Sequence, residues 1–204
     1  MASKTDIANL ALSHIGVAND ISNLDSEKSN EARACNRFYD QARRQTLRDF
    51  PWPFAKRMAT LALVTDYTVS DTMEWDYAYR YPSDCVLVRR ISNETPVDTA
   101  CSEIPYEIMG DDTGQLIMTN LESAGIDYTT DITNTALFPD DFVMALSLRL
   151  AVYIAPRITA GDPFKMGDKA AALYQGELSK AQATAINEGQ VTPQPESEII
   201  LSRR

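Results

Sequence analysis

This 204-residue chain is rich in acids but has one histidine and three cysteines with which to do chemistry. His14 is the only histidine, which removes most nucleophilic triads and histidine-based metal sites. It falls just before Gly16, at the expected end of a helix, where the helix dipole favours partial positive charge, so a structural or capping role is expected. Cys35, Cys85 and Cys101 are odd in number, widely spaced and form no paired motif, and they are read as free thiols. The acids are more suggestive. Glu74, Asp76, Asp84, Glu103 and Glu107 lie on or near expected strands with aromatic neighbours. Paired carboxylates beside sugar-stacking rings could hydrolyse a glycosidic bond, although a solvated sheet edge or a subunit contact has the same appearance. Gly110-Asp111-Asp112-Thr113-Gly114 has the first acids of a calcium loop but lacks the later ligands and closing Glu, and is read as a hairpin turn. No glycine-rich phosphate loop is present. No residue is therefore assigned a catalytic, cofactor-binding or metal-ligating role, and no cofactor is expected.

Charge is unevenly distributed. The net charge is −10. Residues 1–64 hold nine Lys and Arg against seven Asp and Glu, and residues 139–204 hold seven against eight. Residues 65–138 hold three against fourteen, so the middle third carries the imbalance. General phosphate binding is disfavoured by such a balance. The arginines of the second expected helix, Arg33, Arg37, Arg43, Arg44 and Arg48, alternate with Glu31, Asp40 and Asp49, which points to a solvated face with helical ion pairs or to a subunit contact. With 44% hydrophobic and 24% charged residues the composition is that of a globular protein. No apolar stretch approaches the roughly 20 residues of a membrane span, and the N-terminus lacks the apolar core of a secretion signal, so a cytoplasm-like compartment is expected.

The elements that must position these residues follow from periodicity. A first helix is expected over Thr5 to Ile15, capped by Ser3 or Thr5 and stopped by Gly16. A second runs from about Ser26 to Asp49, with Ala32, Cys35, Tyr39, Ala42 and Thr46 as its inward stripe and Pro51 and Pro53 ending it. The period then changes. Arg57 to Val64, the alternating Trp75, Tyr77, Tyr79 and Tyr81, Cys85 to Ile91, Tyr106 to Met109, Leu116 to Thr119 and Ile126 to Ile132 read as strands of a meander or small barrel-like sheet. A five-residue loop, Gly110 to Gly114, is expected to join two of them. Helical spacing returns at Pro139. Phe142 to Ile154 is apolar on nearly every side and suits the centre of a bundle. A fourth helix, Phe164 to about Asn187, carries Phe164, Gly167, Ala171, Tyr174, Leu178, Ala181 and Ala185 as a small-residue seam.

The expected fold class is thus α+β: an antiparallel bundle of four main helices, an inserted antiparallel β-rich subdomain and an extended C-terminal tail. Residues 1–56 supply helices one and two, 57–138 the acidic insert, 139–188 helices three and four, and 189–204 the tail. The tail ends Ile199-Ile200-Leu201-Ser202-Arg203-Arg204, an apolar then basic segment suited to docking on a partner.

Several ordered pieces resemble one family. Leu12-Ser13-His14-Ile15-Gly16 followed by Ile21-Ser22-Asn23-Leu24, then Cys35, Tyr39-Asp40-Gln41-Ala42-Arg43 and Leu47, then Pro51-Trp52-Pro53-Phe54-Ala55 with Arg57 and Leu61, are similar to the opening of the head-to-tail adaptors of short-tailed bacteriophages, also called tail tubular protein A. Trp75-Asp76-Tyr77-Ala78-Tyr79-Arg80-Tyr81-Pro82-Ser83-Asp84-Cys85 is similar to the family's strand and turn, and Phe142, Ala145, Leu150-Ala151 and Ile154-Ala155 to its penultimate helix. The resemblance spans about residues 5–185.

The resemblance implies a structural ring, usually of twelve subunits, between the portal protein and the tail nozzle protein, with double-stranded genome DNA passing through without sequence-specific binding. Tail fibres or spikes would be further partners, no membrane is involved, and the protein would reside at the head–tail junction of the virion after assembly in the host cytoplasm. Within that frame Arg33, Arg37, Arg44, Ala171, Tyr174 and Leu178 are the expected subunit contacts, and Ile199, Ile200, Leu201, Arg203 and Arg204 the expected portal-docking residues. The acidic insert would either border the channel and repel phosphate or form a docking surface. Some family members have been credited with glycan-degrading activity. The alternative function is therefore a phage-associated glycan or peptidoglycan hydrolase using carboxylates of the insert.

Overall fold

A computed structural model of the chain describes residues 2–65, 74–93 and 104–188. It contains a four-helix bundle interrupted by an antiparallel β-rich insert, as the periodicity predicts. Helix α1 is Lys4–His14, with a reciprocal capping box in which the Ser3 side chain accepts from the Asp6 amide and the Asp6 carboxylate accepts from the Ser3 amide. Gly16, at φ +79°, ends this segment in the left-handed region that a side chain disfavours. Helix α2 is Asn30–Asp49, four residues shorter at its start than expected. The Asn23 side chain accepts from the amides of Asp25 and Ser26 and makes a turn, so Ser29 becomes the cap and accepts from the Ala32 amide.

Helix α3, Asp140–Ile158, is the hub: it packs against α1, α2 and α4. Phe142, Ala145, Leu146, Leu150, Ala151, Ile154 and Ala155 are fully enclosed, which an almost uniformly apolar helix requires. Asp140 and Asp141 occupy its first turn and Pro156 its last. Helix α4 is Met166–Glu188. Phe164 does not join its seam. The Asp162 carboxylate accepts from the amides of Met166 and Gly167, which starts the helix two residues later and leaves Phe164 76% exposed. Gly167, Ala170, Tyr174, Leu178 and Ala181 form the buried seam instead. A Cβ on Gly167 would stand 3.4 Å from the Ala155 Cβ, so the glycine lets α4 approach α3 closely.

The insert comprises β1 (Lys56–Thr60), β2 (Tyr77–Arg80), β3 (Cys85–Asn93), β4 (Glu107–Asp111), β5 (Gly114–Thr119) and β6 (Ala124–Thr130). These form two three-stranded antiparallel sheets, ordered β1-β6-β3 and β2-β5-β4, in place of the expected single meander or barrel. The chain passes between them just after β1. Leu61 still donates to Ala124 of the first sheet, whereas Val64 donates to Ala78 of the second and Arg80 of that sheet donates back to Ala62. The β4–β5 turn is also tighter than expected. Asp111 pairs with Gly114, leaving a two-residue turn of Asp112 and Thr113, because the Asp111 carboxylate accepts from the Thr113 amide and hydroxyl.

Both crossings between bundle and insert are clamped. Trp52, Phe54, Phe138 and Phe142 stack edge to face, with the Phe138 and Phe142 centroids 4.7 Å apart, so residues entering and leaving the insert share one aromatic cluster. Arg89 of β3 donates to the carbonyls of Leu47, Arg48 and Phe50 and so caps the C-terminal end of α2. Arg43, only 3% exposed, donates to the Asp131 carboxylate and to the Ile132 carbonyl, and Arg44 donates to the same carboxylate at 3.0 Å. Burial alone would push the Asp131 carboxyl up, but the two guanidiniums outweigh it and hold the group below the usual carboxylate range.

Candidate functional site

Several of the side chains first considered for chemistry are engaged in structural contacts. Ser147 Oγ donates to the Met144 carbonyl, so its lone pairs receive His14 Nε2 at 3.1 Å with the imidazole as donor. Burial lowers the His14 pKa, which favours the neutral ring. The Asp84 carboxylate accepts from the hydroxyls of Tyr128 (3.2 Å) and Thr130 (2.9 Å) and faces Arg57 at 3.5 Å. The Glu107 carboxylate accepts from Trp75 Nε1 at 2.9 Å. Asp111 receives Arg80 on both oxygens at 3.1 Å, and this pairing, with Thr113, draws its pKa down to about 2. Glu74 and Asp76 are exposed, and Glu103 lies outside the described residues. Cys35 is buried, and desolvation pushes its thiol up to about 12, the reverse of what a nucleophile needs. Cys85 is half-buried, and Cys101 lies outside the described residues. Among the described residues no group of three or more potential ligands could hold a metal ion, and no helix is long and apolar enough to cross a membrane.

A different constellation emerges between α2 and α3. These helices run antiparallel, and their facing residues step in register. Arg149 Nη2 donates to Asp49 Oδ2 at 2.9 Å, and that oxygen also accepts from the Tyr174 hydroxyl at 2.7 Å. The Arg149 guanidinium lies 4.8 Å from the centre of the Tyr174 ring. One turn along, the Tyr153 hydroxyl donates to the Gln45 side chain. Each step joins complementary groups.

Beyond that point the complementarity stops. Arg157 of α3 and Arg33, Asn36 and Arg37 of α2 line a shallow, wide-open cleft. All three arginines are exposed, and none has a carboxylate within ion-pair distance among the described residues. Lys4 stands beside the group, donating to Asn36 Oδ1 at 3.1 Å, but its charge is matched by Asp25 at 2.8 Å. An anion seated among the three would be attracted by each of them. Five planar donors on each guanidinium suit a carboxylate or phosphate oxygen.

The residues expected to contact other subunits separate into three groups. Arg33 and Arg37 are brought together in the cleft. Arg44 is drawn away to Asp131. On α4, Tyr174 and Leu178 are buried in the chain's own core and Ala171 is half-buried. Sequence reasoning missed Arg157, whose only signal was its place one turn beyond Tyr153 on the shared α2–α3 register. It also grouped Arg43 with the solvated arginines, whereas the structure buries it against Asp131. Ile199, Ile200, Leu201, Arg203 and Arg204 lie outside the described residues. Compared with known proteins, the chain matches no family model and no curated sequence.

Proposed function

We propose that the chain is a structural ring subunit of a short-tailed phage, joining portal to tail nozzle and surrounding the path of the DNA. The observation that carries this reading is complementary charge on two clamped halves of one chain. The bundle exposes an arginine cleft with no ion-pair partner among the described residues, while the insert contains the excess acid. Different surfaces that attract each other generate head-to-tail contacts, and such contacts close into rings when the rotation permits. The ordered resemblance to the head-to-tail adaptors supports the same assignment. In it, Arg33 and Arg37 contact a neighbouring subunit, and Ile199, Ile200, Leu201, Arg203 and Arg204 dock on the portal.

Electron microscopy of the full chain, alone and mixed with a portal protein of a short-tailed phage, tests the assignment. Rings stacked on the portal are expected, with attachment lost on deletion of residues 189–204. Absence of rings in both preparations, together with sugar release that disappears on Asp84→Asn or Glu107→Gln substitution, would instead make the protein a glycan hydrolase.

A further inference from the structure

We infer that the Arg33–Arg37–Arg157 cleft receives the acidic end of the second sheet from the next copy of this chain. The inference rests on the ring reading above and names the two surfaces that meet. Antiparallel register gathers four acids at one end of the β2-β5-β4 sheet. Glu74 and Asp76 immediately precede β2, Glu107 opens β4 and Glu122 follows β5, while Tyr77 pairs with Thr119 and Glu107 with Met118. Asn120 fastens this end, because its side chain accepts from the Asp76 amide and donates to the Glu74 carbonyl. All four acids are exposed, and among the described residues none has a cation within ion-pair distance. The opposite end of the same sheet differs, since Asp111 there is matched by Arg80.

Among the described residues, each surface thus lacks the opposite charge that the other supplies. The two preceding turns of the same helix pair match Arg149 with Asp49 and Tyr153 with Gln45, so the unmatched charge is local to the cleft. A second copy is a better occupant than DNA, because a chain of net charge −10 repels a polyanion at long range while a discrete carboxylate cluster docks at short range. The surfaces are distinct, so the contact is heterologous: every copy uses its cleft on one neighbour and its sheet on the other.

Two variants of the full chain test the pairing. One carries Arg33→Glu and Arg37→Glu; the other carries Glu74→Lys, Asp76→Lys and Glu122→Lys. All positions are exposed, and circular dichroism checks that both variants fold. Sedimentation velocity at about 50 mM salt, where surface charge is weakly screened, should show assembly of the native chain and at least ~100-fold weaker association of either variant alone. An equimolar mixture should reassemble, because the reversed cleft attracts the reversed sheet and each native surface finds a native partner. If the native chain assembles but the variants also do, or their mixture stays monomeric, this pairing is wrong while the ring reading stands. If the native chain forms no assembly alone or on its portal, the ring reading itself fails and the pairing with it. If the arginine variant keeps its assembly but loses binding to a double-stranded DNA fragment, the cleft is a phosphate site and the pairing is overturned.

Discussion

Replacing Arg43 with Ala tests whether the insert is held to the bundle by the buried ion pair. The guanidinium is 3% exposed and bridges the Asp131 carboxylate and the Ile132 carbonyl. Removing one partner of a fully buried pair costs about 3–5 kcal/mol, mostly because the other charge is stranded. Here the full penalty is not expected, since Asp131 keeps Arg44 at 3.0 Å and its side chain is 17% exposed. A loss of about 2–3 kcal/mol follows, or about 4–12 °C in Tm for a chain of this size. Arg44→Ala, on a side chain 61% exposed, should cost less than about 1 kcal/mol. The assay is urea unfolding of wild type, both single variants and Arg43→Ala with Asp131→Ala, which yields the coupling energy. The pH dependence adds a sign. The Asp131 pKa is lowered in the folded state, so its contribution is complete above the unfolded value of about 3.9 and fades as pH falls through the folded value. Wild type should therefore lose part of its advantage over Arg43→Ala below about pH 4. Equal losses for Arg43→Ala and Arg44→Ala, or a coupling near zero, would refute the clamp.

Other outcomes follow from the same structure. Leu146→Ala, in the enclosed hub helix, should destabilise the fold by about 2–5 kcal/mol in denaturant titration through the cavity it leaves. Arg89→Ala removes a charged donor to three carbonyls and should cost about 1.5–3 kcal/mol, with hydrogen exchange rising first at the C-terminal end of α2. Gly16→Ala meets no steric neighbour but forces an alanine to a φ near +79°, so about 1 kcal/mol should be lost with the fold intact. Cys35 should resist a thiol-directed reagent in the folded chain at pH 8 and react on unfolding, as mass mapping of labelled peptides would show.

Much of the fold was legible because local chemistry decided it. Ser3, Gly16, Pro139 and the apolar run from Phe142 to Ile154 each act over a few residues, and the helices fell where those signals put them. The misreadings share a cause in side chains that bond nearby backbone or distant partners. The start of α2 moved because Asn23 and Ser29 shape their own turns, and Phe164 left the seam because Asp162 set where α4 begins. Strand periodicity near Thr60 shows extended chain but does not show that it changes sheets there. Arg43 and Arg44 are adjacent in sequence and share the Asp131 carboxylate, and only burial distinguishes them, with the Arg43 side chain 4% exposed and that of Arg44 61%. The cleft was half legible: Arg33 and Arg37 were readable as one helical face, but the addition of Arg157 depends on the register of two packed helices.

The central claim is that this chain builds a closed ring, and native mass spectrometry of the full-length protein at low ionic strength tests it most directly. The account predicts one dominant species whose mass is a fixed multiple of the 22.7 kDa chain, in the range of a dodecamer, dissociating to monomer as salt rises. A species that stays monomeric at every salt concentration, with its portal present as well as without it, would contradict the account.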